Sequence, residues 1–164
     1  ARHYCAIGED TYIGDILEWF DRAVPEAFVE AIGNLERTGF VPEDQTRSGV
    51  RPLRCHPRRP EDGAIDWTQS AIQVARLVRA SSRPYDGAFA SLEGEGRVTV
   101  WRARVVDPGM DFLAVPGQIM GRGERGPLVS CGTGVLEIEE SEAKDGSSLP
   151  SSNRHRFILR TPGD

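Results

Sequence analysis

Near Pro84 the apolar rhythm of the chain changes, and this change constrains the fold most. Before it, apolar residues recur at helical spacing. After it, they alternate. The first helical stripe runs through Ile13, Ile16, Leu17, Phe20, Val24, Phe28, Ala31, Ile32 and Leu35, with Asp15, Glu18, Asp21 and Glu30 on the opposite face. Asp10 or Thr11 is the expected N-cap and Gly39 the expected C-cap. Pro25 removes one backbone donor, so it is expected to kink the helix or split it in two. A second stripe, Trp67, Ala71, Val74, Ala75 and Val78, predicts a helix capped by Asp66 with Gln69 three residues on, and stopped by Ser82-Arg83-Pro84.

Beyond Pro84 the segments are short and separated by turn residues. Strands are expected at 88–92, 97–106, 118–120, 128–131 and 135–140, with a turn at Glu93–Gly96 and a hairpin turn at Gly132-Thr133-Gly134. In the second of these strands Thr99, Trp101, Ala103 and Val105 share one face, and Val98, Val100, Arg102 and Arg104 the other. Trp101 is expected in the core, and Trp67 in the core or in interdomain packing. Ser141 to Asn153 is polar and expected to be mobile, and Arg156 to Leu159 is expected to add a last strand. Helix, linker, helix and then hairpin-ordered strands make an α+β pattern. A small OB-like β-barrel is favoured because closure removes unpaired sheet edges.

Charge divides the chain further. The net charge is -5, yet residues 47–60 hold five Arg and no acid. The intervening prolines keep residues 41–63 extended, so this segment reads as a linker carrying a basic contact strip, with Arg54, Arg58 and Arg59 as candidate acceptor or partner contacts. Overall acidity argues against broad, non-specific nucleic-acid binding. No apolar run approaches a membrane span, and no apolar leader core precedes the first helix, so a cytoplasmic location is expected. The start at Ala1, without Met, and a helix with an uncovered apolar face both suggest that the native chain begins upstream. Cys5, Cys55 and Cys131 have no CxxC spacing and are expected as free thiols. No metal site, nucleophile triad, P-loop or dinucleotide fingerprint is legible, with His3, His56 and His155 scattered.

Three ordered stretches carry a resemblance. They are RPEDGAIDW at Arg59–Trp67 with its helix ending RLVRA at Ala80, RPYDGAFASL leading into VTVWRARV between Arg83 and Val105, and PGQI followed by LVSCGTGVLEI between Pro116 and Ile138. In this order they resemble the C-terminal region of the folate-dependent formyltransferase family, which includes methionyl-tRNA formyltransferase and related sugar and amine N-formyltransferases. The resemblance implies three parts. Residues 1–40 would be the incomplete end of a Rossmann-like catalytic domain, with a terminal strand at His3–Ile7 and a long helix. Residues 41–63 would be a linker, and residues 64–164 the OB-like C-terminal domain. It also implies transfer of a formyl group from the co-substrate 10-formyltetrahydrofolate to a primary amine. The family's catalytic Asn, His and Asp lie upstream of the matching region. No catalytic or cofactor-binding residue is therefore assigned here, and the fragment alone is expected to be inactive. The implied partners are the missing catalytic half, a second copy in a homodimer, and a small-molecule amine acceptor of the amino sugar nucleotide or hydroxyornithine type. The alternative is tRNA.

Overall fold

The computed structural model describes residues 1–38, 49, 51, 53–144, 149–150 and 154–159. The chain forms two compact units, one of residues 1–11 and 15–58, the other of residues 12–14 and 59–164. The expected C-cap Gly39 and most of the basic linker's first half lie outside the described residues.

The first unit is dominated by α1, Ile13–Thr38. Pro25 lies inside it, and the expected division into two helices does not occur. One missing donor costs about 3 kcal/mol, which the remaining turns of a 26-residue helix offset. Ahead of α1, His3–Ile7 has no ladder partner among the described residues, so the expected strand is not formed. Its His3 Nε2 lies 3.3 Å from Glu30 Oε2 on α1. Ala23 is buried, while Phe20, Val24, Phe28, Ile32 and Leu35 are exposed at 45–68%.

The second unit opens with a short 3-10 turn at Pro60–Gly63 and α2, Ala71–Ser81. The N-cap of α2 is Ser70, not Asp66: the Gln73 amide N–H donates to Ser70 Oγ, and Gln73 Oε1 accepts from the Ser70 N–H. Asp66 instead closes its own turn, accepting from the Thr68 N–H at 3.0 Å and the Thr68 hydroxyl at 2.6 Å. Trp67 therefore precedes the helix rather than starting it.

Five strands follow: β1 Ala88–Leu92, β2 Gly96–Val106, β3 Ile119–Arg122, β4 Pro127–Ser130 and β5 Val135–Ala143. They form one antiparallel sheet in the order β1-β2-β5-β4-β3. Its two outer strands are joined by the segment at 155–158. On the β1 side, Ile158 donates to the Ser91 carbonyl and Glu93 to the Arg156 carbonyl. On the β3 side, Ile119 donates to His155 and Phe157 to the Gly117 carbonyl. The ladder thus runs round into a closed barrel, and neither outer strand keeps a bare edge there. Of the stretch expected to be mobile, Ser141–Ala143 extends β5; residues 145–148 and 151–153 lie outside the described residues.

The barrel core takes Val98, Val100, Ile119, Val129, Leu136 and Ile138, all at most 1% exposed. Trp67 and Phe157, both fully buried, stack with ring centroids 4.8 Å apart and planes 24° apart. The two-face reading of β2 needs correction. A register shift between Val100 and Ala103 opposite β5 inverts the alternation, so that Val98, Val100 and Ala103 face inward. Trp101 accordingly leaves the core. It is half-buried, donates from Nε1 to Glu142 at 3.3 Å, and carries the Arg83 guanidinium 4.3 Å from its ring centroid. Gly87, at φ +80°, lies where an added Cβ would strike the Thr99 and Trp101 side chains.

Candidate functional site

Two features of the barrel concentrate polar chemistry. The first is a charge cluster around Glu137 of β5, whose side chain is only 1% exposed. Glu137 Oε1 accepts the backbone N–H groups of Arg125 at 2.6 Å and Gly126 at 3.0 Å. Oε2 accepts Arg104 Nε at 2.8 Å. Burial works against the ionised carboxylate, but the Arg125 and Gly126 N–H groups and the Arg104 guanidinium outweigh it and hold the Glu137 carboxyl below its ordinary range. Arg104 is raised in turn, chiefly by its hydrogen bond to Glu137. Glu139 extends the cluster to Arg125 at 2.8 Å. The cluster ties the β3–β4 hairpin loop to the strand beneath it. Its groups are spent on one another and on the loop backbone, and it reads as structural.

The second feature is a half-open groove of about 370 Å³ between the β2–β3 loop and the β4–β5 turn. Asp107, Met110, Asp111 and Phe112 line one wall, and Cys131 and Thr133 belong to the other. The turn is fixed from below. The Gly132 N–H donates to the Trp67 and Gln69 carbonyls, and Thr133 accepts the Ala71 N–H. An added Cβ at Gly132 would run into the Thr68 carbonyl oxygen, so this position is built for glycine by close backbone approach. Burial pushes the Cys131 thiol up to about 12, leaving it neutral at physiological pH. The sequence pattern did not single out this groove. Its carboxylates and Met110 sit in an aperiodic loop, Met120 lies in β3, and only the Gly132-Thr133-Gly134 hairpin turn is marked in the sequence.

The Arg residues chosen from sequence fall elsewhere. Arg54 and Arg58 are exposed in the first unit. Arg59, exposed at the head of the second, donates its backbone N–H to Asp62 Oδ2 at 2.8 Å. Among the described residues no group of three or more His, Cys, Asp or Glu is placed to hold a metal ion, and no helix is long and apolar enough to cross a membrane.

Residues 58–155 match the model of the formyl transferase C-terminal domain family. The chain belongs to that family. The formyl transferase C-terminal domain here takes the α+β form that the sequence led us to expect. Its fold is also that of solved structures of HypX from Aquifex aeolicus. One multiply substituted variant matches with a TM-score of 0.58 at 23% identity, over 85% of this chain and 24% of that one. A second variant gives 0.54 at 23% identity, over 74% and 20%. The HypX structure in complex with tetrahydrofolic acid gives 0.50 at 23% identity, over 74% and 20%. The chain therefore spans between a fifth and a quarter of the length of these relatives.

Proposed function

We propose that this chain is the C-terminal portion of a 10-formyltetrahydrofolate-dependent N-formyltransferase. In this reading the complete enzyme formylates the primary amine of a small molecule of the amino sugar nucleotide or hydroxyornithine type, in the cytoplasm. Residues 1–40 finish its catalytic domain, residues 41–63 link, and residues 64–164 position the acceptor, pack against the catalytic domain or support a dimer. The transfer needs a base for the amine proton and donors for the tetrahedral oxyanion, gathered in one pocket. Neither polar feature of the barrel offers that set, so the reading places the chemistry on the catalytic half.

The observation that carries the proposal is the bare stripe of α1, Phe20, Val24, Phe28, Ile32 and Leu35, which follows a segment, His3–Ile7, with no ladder partner among the described residues. In the complete enzyme His3–Ile7 would pair on a sheet and the apolar face of α1 would pack against it, the arrangement of half an α/β layer. The tetrahydrofolic acid held by one HypX structure supports folate as the co-substrate. The test is to incubate the chain with 10-formyltetrahydrofolate and amine acceptors, with and without the separately expressed upstream half. Tetrahydrofolate release is expected only from the mixture. Release by this chain alone would overturn the proposal. The second reading, a tRNA-contacting domain, rests on the exposed Arg54, Arg58 and Arg59. It predicts a salt-dependent shift of tRNA that is lost when the three are changed to Ala.

A further inference from the structure

The groove between the β2–β3 loop and the β4–β5 turn has a chemistry that the transfer reading does not use. Its lining carries two carboxylates, Asp107 and Asp111, and no Lys, Arg or His. Asp107 Oδ1 accepts the Gly109 N–H at 2.9 Å in an Asx turn that restrains the carboxylate. The ionisable groups that give the lining its charge are therefore all acidic, which disfavours anions and concentrates cations. Cys131 lines the groove at 5% exposure, and no hydrogen bond to its Sγ is made among the described residues. Such a soft, neutral sulfur is a weak acceptor for an N–H donor.

The remaining surface selects among cations. Met110, Phe112 and Met120 line the groove with polarisable and aromatic surface that suits a short alkyl chain and the edge of an ammonium. A hydrated divalent ion would want three or more hard oxygen ligands, and no such group occurs among the described residues. A volume of about 370 Å³ lies in the range of small-molecule sites.

We propose that this groove binds an alkylammonium group, with Asp107 and Asp111 facing the charge and Met110, Met120 and Phe112 facing the alkyl chain. The group could be carried by a free small amine or by a lysine side chain. The site is independent of the formyl-transfer reading and survives its failure.

The protein supplies its own reporter. Its two methionines both line the groove, so methyl-13C-methionine labelling of the full chain gives two signals, both from this site. Butylamine and Nα-acetyl-lysine amide are titrated at millimolar concentration, with 1-butanol as the neutral match. Both methyl signals are expected to move saturably with the amines and not with the alcohol. Whichever amine binds more tightly identifies the source. The Asp107→Asn, Asp111→Asn double variant keeps an acceptor for the Gly109 N–H, and its unfolding midpoint at neutral pH checks that it is folded. It should bind butylamine roughly tenfold more weakly. Equal shifts from butylamine and 1-butanol would overturn the proposal. So would undiminished binding by the folded double variant, or no shift with either amine.

Discussion

Glu137 holds a negative charge where water cannot reach it, and three donors make that tolerable: two backbone N–H groups and the Arg104 guanidinium. Replacing it by Gln removes the charge but keeps the shape. The Glu137→Gln variant should lose about 2 kcal/mol at pH 7, measured by urea unfolding. The pH dependence follows from direction. The folded carboxyl titrates below its unfolded counterpart, near 4.3, so its contribution is fully present above that value. It is lost as pH falls through the folded value. The stability gap between wild type and Glu137→Gln should therefore close on acidification below about pH 4.3. Gly132 makes a different kind of demand. A methyl there meets the Thr68 carbonyl, so Gly132→Ala should destabilise by about 3 kcal/mol in the same assay. Neither role was legible in sequence. Glu137 looked like one acid among several in a polar strand, and Gly132 like an ordinary turn residue; burial and backbone approach are set by neighbours distant in sequence.

Elements were more legible, because period and turn chemistry are local. Strand positions around β1, β4 and β5 came through alternation and glycine turns. The misses have physical causes. Asp66 and Ser70 both offer N-cap oxygens, and Ser70 wins because Gln73 completes the reciprocal pair where the helix begins. Two compensating register shifts skip Trp101 on β2 and Glu139 on β5, which breaks the alternation and leaves Trp101 outside the core, and a period-two pattern cannot report a break of that kind. A last strand was expected at Arg156–Leu159; the structure has only isolated bridges at Arg156 and Phe157, whose weight in the fold was hidden because Phe157 is a lone aromatic in a polar tail. In the structure it stacks on Trp67 and carries the bonds that seal β1 to β3. Phe157→Ala should therefore cost about 3–5 kcal/mol. Removal of residues 154–164 should expose both edges and produce concentration-dependent association, seen by size-exclusion chromatography.

At the scale of the whole molecule, the two units differ in how much of their apolar surface they cover. The second closes its barrel around Trp67 and Phe157. The first leaves Phe20, Val24 and Phe28 at 48%, 51% and 68% exposure along one face of α1, a stripe that in water favours association with any complementary surface. The proposed catalytic half supplies such a surface, and the demand can be separated from the barrel by mutation. Val24→Glu combined with Phe28→Glu alters only that exposed face. It should leave the barrel's unfolding midpoint within about 0.5 kcal/mol of wild type, because surface changes away from packed features do little. If the stripe is an interface, the same double variant should lose pull-down of the upstream half and the turnover that mixing restores. If the variant binds that half as wild type does, α1 is no part of the contact, and the assignment of residues 1–40 to the catalytic domain falls while the family membership of the barrel stands.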